Sequence, residues 1–243
     1  MSYTISERES EVIEEIEKRD MVVFTPDHVK RFLETSKRNA YRILTGMNRK
    51  GLAHRLERGK YILEEKWKEL DIYEIVTHLI NASYLGFWSA LHFHHMTEQV
   101  PSKVFLATTK RKRSMELQER TVKFVKIKRE DFFGYSEYGR TVASTPEKTV
   151  IDCLRLPKYA GGIPQVYSAL NEEIDVERLV DYASKLGSSS VASRLGYFLE
   201  RKDMLIRSEE LKSNITTYTK LDPSGERENL NKDWKLYVNR SIK

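Results

Sequence analysis

The chain has 243 residues, 40% of them hydrophobic and 32% charged, with a net charge of +6. That is enough apolar material for one large or two smaller cored domains, and the positive balance is compatible with a polyanionic partner. A lone cysteine, Cys153, excludes an intrachain disulfide, and no run approaches the ~20 apolar residues of a membrane-spanning helix. The first twenty residues are acidic and lack an apolar core, so no signal peptide is expected, and the expected location is the cytoplasm.

In chain order, Ser6 opens a first predicted helix carrying Val12, Ile13 and Ile16 on one face. The stretch from Asp20 to Phe24 breaks it and can pair as a short strand. Thr25-Pro26-Asp27 starts a second helix, with a capping hydroxyl followed by proline at the first helical position. Val29, Phe32 and Leu33 mark its apolar side. Thr35 and Ser36 can cap a third helix that runs to Lys50 with Ala40, Ile43, Leu44 and Met47 on one face, and Gly51 stops it. Leu52 to Leu56, a turn over Glu57 to Lys60, and Tyr61 to Leu63 read as a hairpin.

Three helices followed by a hairpin is the order of a winged helix-turn-helix, expected over residues 1–66. Charge is polarised within it. Glu7 to Asp20 holds seven acids against three bases, whereas Lys37 to Lys60 holds eight bases and one acid. The base-rich part coincides with the third helix and the wing, the elements such a motif lays on DNA. Lys37, Arg38, Asn39 and Arg42 near the start of the third helix are candidate base and phosphate contacts. Arginine can grip guanine through two hydrogen bonds, asparagine adenine, and lysine more often phosphate. Arg49, Arg55, Arg58 and Lys60 extend the candidate DNA-binding set. A basic helix face that binds protein instead is the competing reading.

Residues 67–243 are expected to form a larger mixed α/β domain, so the fold class is α+β. A bridge over 64–70 precedes predicted helices over 71–81 and 84–95. Strands are expected over 104–108 and 121–128, then a short strand and a helix opened by Ser144-Thr145-Pro146-Glu147 within 141–156. Gly161-Gly162 is a loop. Helices near 163–172, 175–187 and 189–202 follow, then two strands, 217–221 and 234–239, around a polar loop.

Lys110, Arg111, Lys112 and Arg113 follow one strand, and Lys123, Lys126, Lys128 and Arg129 continue the basic theme. This is a candidate partner-binding or second nucleic-acid surface, with a solvated loop of equal weight. His92 and His95 have a metal-ligand spacing but no second ligand motif follows, so no metal is expected. Cys153 reads as core. Asp131, Glu147 and Asp152 do not form the acid-and-lysine pattern of a metal-dependent nuclease, and no phosphate-binding glycine loop is present, so neither enzyme activity nor a cofactor is expected.

The segment SYLGFWSALHFHHMTEQVPSKVFLATTKRKR resembles the central signature of AbiEi-like antitoxins, the regulator half of type IV toxin–antitoxin systems. RTVASTPEKTVIDCL, SRLGYFLER, TKLDPSG and NKDWKLYVN resemble later family stretches in the same order, so the likeness spans about residues 72–240. His95 stands where the family often has Gly, and Lys148 where it often has Arg. The resemblance implies a repressor that binds inverted repeats in its own promoter and a C-terminal domain that counters an AbiEii-like nucleotidyltransferase toxin, without requiring a stable complex. Two further readings stand beside it: a transcription factor whose second domain binds a ligand or another protein, and a DNA-targeted nuclease.

Overall fold

The computed structural model describes residues 4–242 of the chain. Residues 1–3, which open the stretch read as lacking a signal peptide, lie outside the described residues, as does residue 243. The protein is a mixed α+β protein of two compact units, Met1–Asn81 and Ala82–Lys243. The division falls after Asn81 rather than at the 66/67 position read from the sequence. Among the described residues no helix is long and apolar enough to cross a membrane.

In the first unit, α1 (Glu7–Lys18) starts at a capping box in which Ser6 and Glu9 satisfy each other's backbone donors. α2 (Pro26–Phe32) starts with Thr25 as cap and Pro26 at its first position. α3 (Lys37–Arg49) is capped by the Ser36 hydroxyl, which accepts from Asn39 N at 3.2 Å. Val12, Ile16, Val29, Ala40, Leu44 and Met47 are fully buried between the three helices.

β1 (Ala53–Glu57) and β2 (Lys60–Leu63) pair antiparallel through a two-residue turn, Arg58-Gly59. Gly59 has φ +77°, the left-handed geometry that such tight turns demand and glycine supplies without strain. Phe24 and Tyr61 exchange two backbone hydrogen bonds of 2.9 Å, so the break after α1 does pair as a bridge onto the hairpin.

The unit continues past the hairpin. α4 (Glu64–Glu69) is anchored by Lys66 to Asp20 at 2.8 Å and by Trp67 stacked on His54 at 4.4 Å. α5 (Ile72–Val76) covers only the first half of the helix expected over 71–81, and Ile75, Val76 and Leu79 are fully buried.

The second unit is built on a six-stranded mixed sheet of order β5-β6-β4-β3-β8-β7. Its members are β3 (Ser83–Leu85), β4 (Lys103–Thr108), β5 (Met115–Leu117), β6 (Arg120–Lys126), β7 (Tyr135–Tyr138) and β8 (Thr141–Ser144). β4 runs parallel to β6 and β3 parallel to β8; the remaining pairs are antiparallel. The helix expected over 84–95 is therefore two elements. Tyr84 and Leu85 belong to the central strand β3, and α6 (Phe87–Phe93) begins after Gly86. A short apolar run buried on both sides has the same hydrophobic pattern in a strand as in a helix, which is why the sequence misleads here.

α7 (Pro146–Arg155) is buried from Glu147 to Leu154 and runs into a 3-10 turn at Pro157–Tyr159. α8 (Ile163–Ser168), α9 (Val176–Leu186), α10 (Ser189–Arg201) and α11 (Ser208–Ser213) follow, the last unforeseen in the sequence. A small sheet of order β10-β11-β9 closes the chain: β9 (Thr219–Lys220), β10 (Leu230–Asn231) and β11 (Leu236–Tyr237). The two tail strands expected from the sequence shrink to two residues each, and the polar loop between them supplies β10.

Candidate nucleic-acid interface

The exposed side of α3 carries Arg38, Arg42 and Arg49, whose spacing of four and then seven puts them on one face, opposite Ala40, Leu44 and Met47. None of the three has an ion pair or side-chain hydrogen bond with a described residue, and the same is true of Arg58 in the hairpin turn. Arg55 is exposed on β1, its Nε donating to the Glu57 carbonyl at 3.3 Å. The hairpin is fixed beside this face, because Asn48 Oδ1 on α3 accepts from Arg55 N at 3.1 Å. At the turn, a methyl group built on Gly59 would lie 3.7 Å from the Tyr41 hydroxyl. Tyr41, 39% exposed, thus sits between helix and turn on the same surface. Sequence reasoning passed over it; its position one residue before Arg42, off the apolar stripe, is the signal that was available.

The remaining candidates are engaged within the unit. Lys37 pairs with Asp27 at 3.1 Å, both side chains more than half exposed, a contact worth little in water. Asn39 is half-buried and its Nδ2 donates to Thr35 Oγ1 at 3.3 Å. Lys60 is held by Glu57 at 2.8 Å and by the Leu79 carbonyl. Lys50, one of the eight bases counted in the sequence, is turned away to α1, where its Nζ lies 2.6 Å from Glu9. Burial pushes the Glu9 carboxyl up, but Lys50 and the Ser6 donors together outweigh it and leave it below the usual carboxylate range. Gly46 permits this close approach, since a methyl there would be 3.3 Å from Glu9 Oε1. The exposed cations of α3 and the hairpin that have no ion pair with a described residue are therefore arginines, with Tyr41 among them.

In the second unit Arg111 and Arg113 are exposed in the β4–β5 loop, and Lys112 lies 5.0 Å over the Phe124 ring. The parallel register of β4 and β6 sets Thr108 opposite Lys126. That pairing brings Lys110 to the rim of a cavity of about 890 Å³ also lined by Lys126, Lys128 and Arg129, so the two basic runs of the sequence meet there.

The carboxylates weighed as nuclease ligands are each matched to a different cation: Asp131 to Arg155 at 2.5 Å, Glu147 to Arg178 at 3.7 Å, and Asp152 to Lys148. Asp152 also accepts from the Tyr84 hydroxyl at 2.8 Å. Burial drives the Asp152 carboxyl up against the opposing pull of Lys148, and drives the Cys153 thiol up as well. His94 Nε2 lies 2.6 Å from the Ser144 carbonyl, and burial lowers its pKa. Among the described residues no three His, Cys, Asp or Glu side chains are grouped to hold a metal ion.

The motifs quoted from the C-terminal half meet as a packing assembly. The Arg194 guanidinium of SRLGYFLER donates to the carbonyls of Leu154, Lys220 and Leu221 at 2.7–3.1 Å. Burial lowers its pKa to about 10. Trp234 of NKDWKLYVN lies flat against Gly196 and donates to Glu200 at 3.0 Å. Asn239 exchanges two hydrogen bonds of 2.9 Å with the Asp222 backbone in TKLDPSG.

No protein-family model matches the chain, and no curated protein matches it. Among solved structures it is similar to the Rv2827c protein of Mycobacterium tuberculosis, with a TM-score of 0.60 at 17% identity over 96% of this chain and 92% of that one. At that identity the likeness is one of fold.

Proposed function

We propose that the chain is a winged helix-turn-helix autorepressor that also serves as the antitoxin of a type IV toxin–antitoxin pair. In this reading α2 and α3 form the helix-turn-helix and the β1–β2 hairpin is the wing. The observation that carries the DNA-binding half is the row of exposed arginines, Arg38, Arg42 and Arg49 on α3 with Arg55 and Arg58 on the hairpin, none ion-paired to a described acid. Arginines left unpaired on a helix face and an adjoining turn present donors to base edges and to phosphates at once. Phosphate contacts release counterions, so binding of this kind weakens steeply with salt. The antitoxin half rests on the resemblance to AbiEi-like proteins, with an AbiEii-like nucleotidyltransferase as the toxin it counters.

The test is an anisotropy titration of the chain with a duplex from its own promoter and with a scrambled duplex. Preference for the promoter sequence is expected, and equal affinity for both argues against a repressor. For the second half, co-expression with an adjacent nucleotidyltransferase gene should relieve that gene's toxicity; toxicity left unchanged removes the antitoxin assignment and leaves the repressor.

A further inference from the structure

The second unit contains a cleft of about 600 Å³ that neither the arginine face nor the basic rim at Lys110 includes. Clefts of roughly 300–1,000 Å³ with mainly apolar walls and a few convergent polar groups are the usual form of small-molecule sites. Here Trp88 of α6, Phe105 of β4 and Pro157 supply apolar wall. The Trp88 indole lies against the backbone of Gly161, where a methyl group would sit only 3.0 Å from its ring. Gly161 has φ +76°, so the loop takes a left-handed turn with no side chain in the way of the indole.

The charged residues of the lining point to the charge of the occupant. Three cations line the cleft, Arg155, Lys158 and Arg240, of which Arg155 is already paired with Asp131 at 2.5 Å, against one lining acid, Asp222. Asp222 is already satisfied: its Oδ1 accepts from Ser224 N at 2.9 Å and Ser224 Oγ at 2.6 Å, and its Oδ2 lies 3.5 Å from Arg240. Lys158 is exposed and has no acidic partner among the described residues, its Nζ lying 4.9 Å over the Tyr159 ring. The Trp88 Nε1–H is buried and has no acceptor among the described residues. Its nitrogen is closed to solvent, so in the test below it serves as a reporter of the wall and not as a contact of the occupant.

We infer that this cleft binds a small organic anion carrying an apolar ring, an aryl carboxylate or aryl phosphate. The ring would lie along Trp88 and Phe105, and the anionic group would meet Lys158 and Arg240.

The experiment follows the indole N–H resonances of the full chain, which has three tryptophans, Trp67, Trp88 and Trp234. The Trp88 peak is assigned by its loss in Trp88→Phe. Benzoate, phenyl phosphate and neutral benzyl alcohol are titrated in turn. A saturable shift of the Trp88 peak by at least one of the two anions is expected, with Trp67 and Trp234 unmoved and benzyl alcohol much weaker. Response to phenyl phosphate alone assigns a phosphate ligand, and to benzoate alone a carboxylate. Replacing Lys158 and Arg240 together by Ala should weaken the effective anion by about tenfold or more, since charge-assisted contacts are lost. Both are surface positions, and the unshifted Trp67 and Trp234 peaks report that the variant is folded. No saturable shift with either anion, an equal response to benzyl alcohol, or an undiminished affinity in the double variant overturns the inference.

Discussion

Arg42 and Arg58 are both exposed arginines with no acidic partner among the described residues, yet they should fail differently when removed. Arg42 lies one turn into α3, where a side chain reaches base edges if that helix enters the major groove. Arg42→Ala is expected to cost roughly 1–3 kcal/mol on the promoter duplex and to relax discrimination at one position. Arg58 sits in a glycine turn suited to the sugar-phosphate chain, so Arg58→Ala should weaken promoter and scrambled duplexes alike and lower the salt slope by about one. Stability should change by no more than about 0.5 kcal/mol in either, which a urea melt checks. The reverse pattern would exchange the roles of helix and hairpin. Lys148 is the opposite case, a cation 0% exposed beside Asp152 and over the rings of Phe133 and Tyr84. Lys148→Met leaves a buried carboxylate without its cation and should cost about 3–5 kcal/mol at neutral pH. Burial already raises the Asp152 pKa, and losing Lys148 raises it further. The variant's folded state therefore takes up its proton at higher pH than the parent's, so the deficit should shrink as pH falls from the variant's folded pKa to the parent's. Urea melts at several pH values measure this; a deficit that is constant with pH would mean that the pair is not ionic.

At the scale of elements, Gly196 in the interior of α10 shows where local preference and packing disagree. Alanine is favoured over glycine in a helix by about 1 kcal/mol, but a methyl at Gly196 would lie 2.0 Å from the Trp234 ring. Gly196→Ala is therefore expected to destabilise, by about 1–3 kcal/mol, and to become nearly harmless in a Trp234→Leu background. Stabilisation by Gly196→Ala alone would show that the indole does not rest there. Elements with end signals were legible in the sequence: Ser6, Thr25-Pro26, Ser36 and Thr145-Pro146 all cap the helices they announce. Two elements lacking such signals were not. β3 hides in an apolar run, and β7, Tyr135–Tyr138, is exposed throughout and shows no alternation of burial. For the candidate interface, the arginines of α3 could be read from spacing alone. That Lys50 and Lys60 turn away could not, because Glu9 and the Leu79 carbonyl are brought to them by tertiary packing. The motifs behind the family resemblance were legible as a group but not in role; Arg194, Trp234 and Asn239 pack α10 and the closing strands together.

For the molecule as a whole, the proposed function would divide labour between the units, with DNA contact in Met1–Asn81 and toxin neutralisation in Ala82–Lys243, the unit that holds the Trp88 cleft. The smallest DNA-binding fragment should accordingly be residues 1–81 and not 1–66, since the shorter piece lacks the buried Ile75, Val76 and Leu79 and the carbonyl that holds Lys60. The central claim is that the arginine face of the first unit binds duplex DNA. Its most direct measurement is the affinity of fragments 1–81 and 82–243 for the promoter duplex across a salt series. Fragment 1–81 should bind with a log–log salt slope of about −2.7 to −3.6 per protomer, as expected for three or four arginines on phosphates, and fragment 82–243 should not bind. Binding that resides in 82–243, or a slope near zero for 1–81, would contradict it.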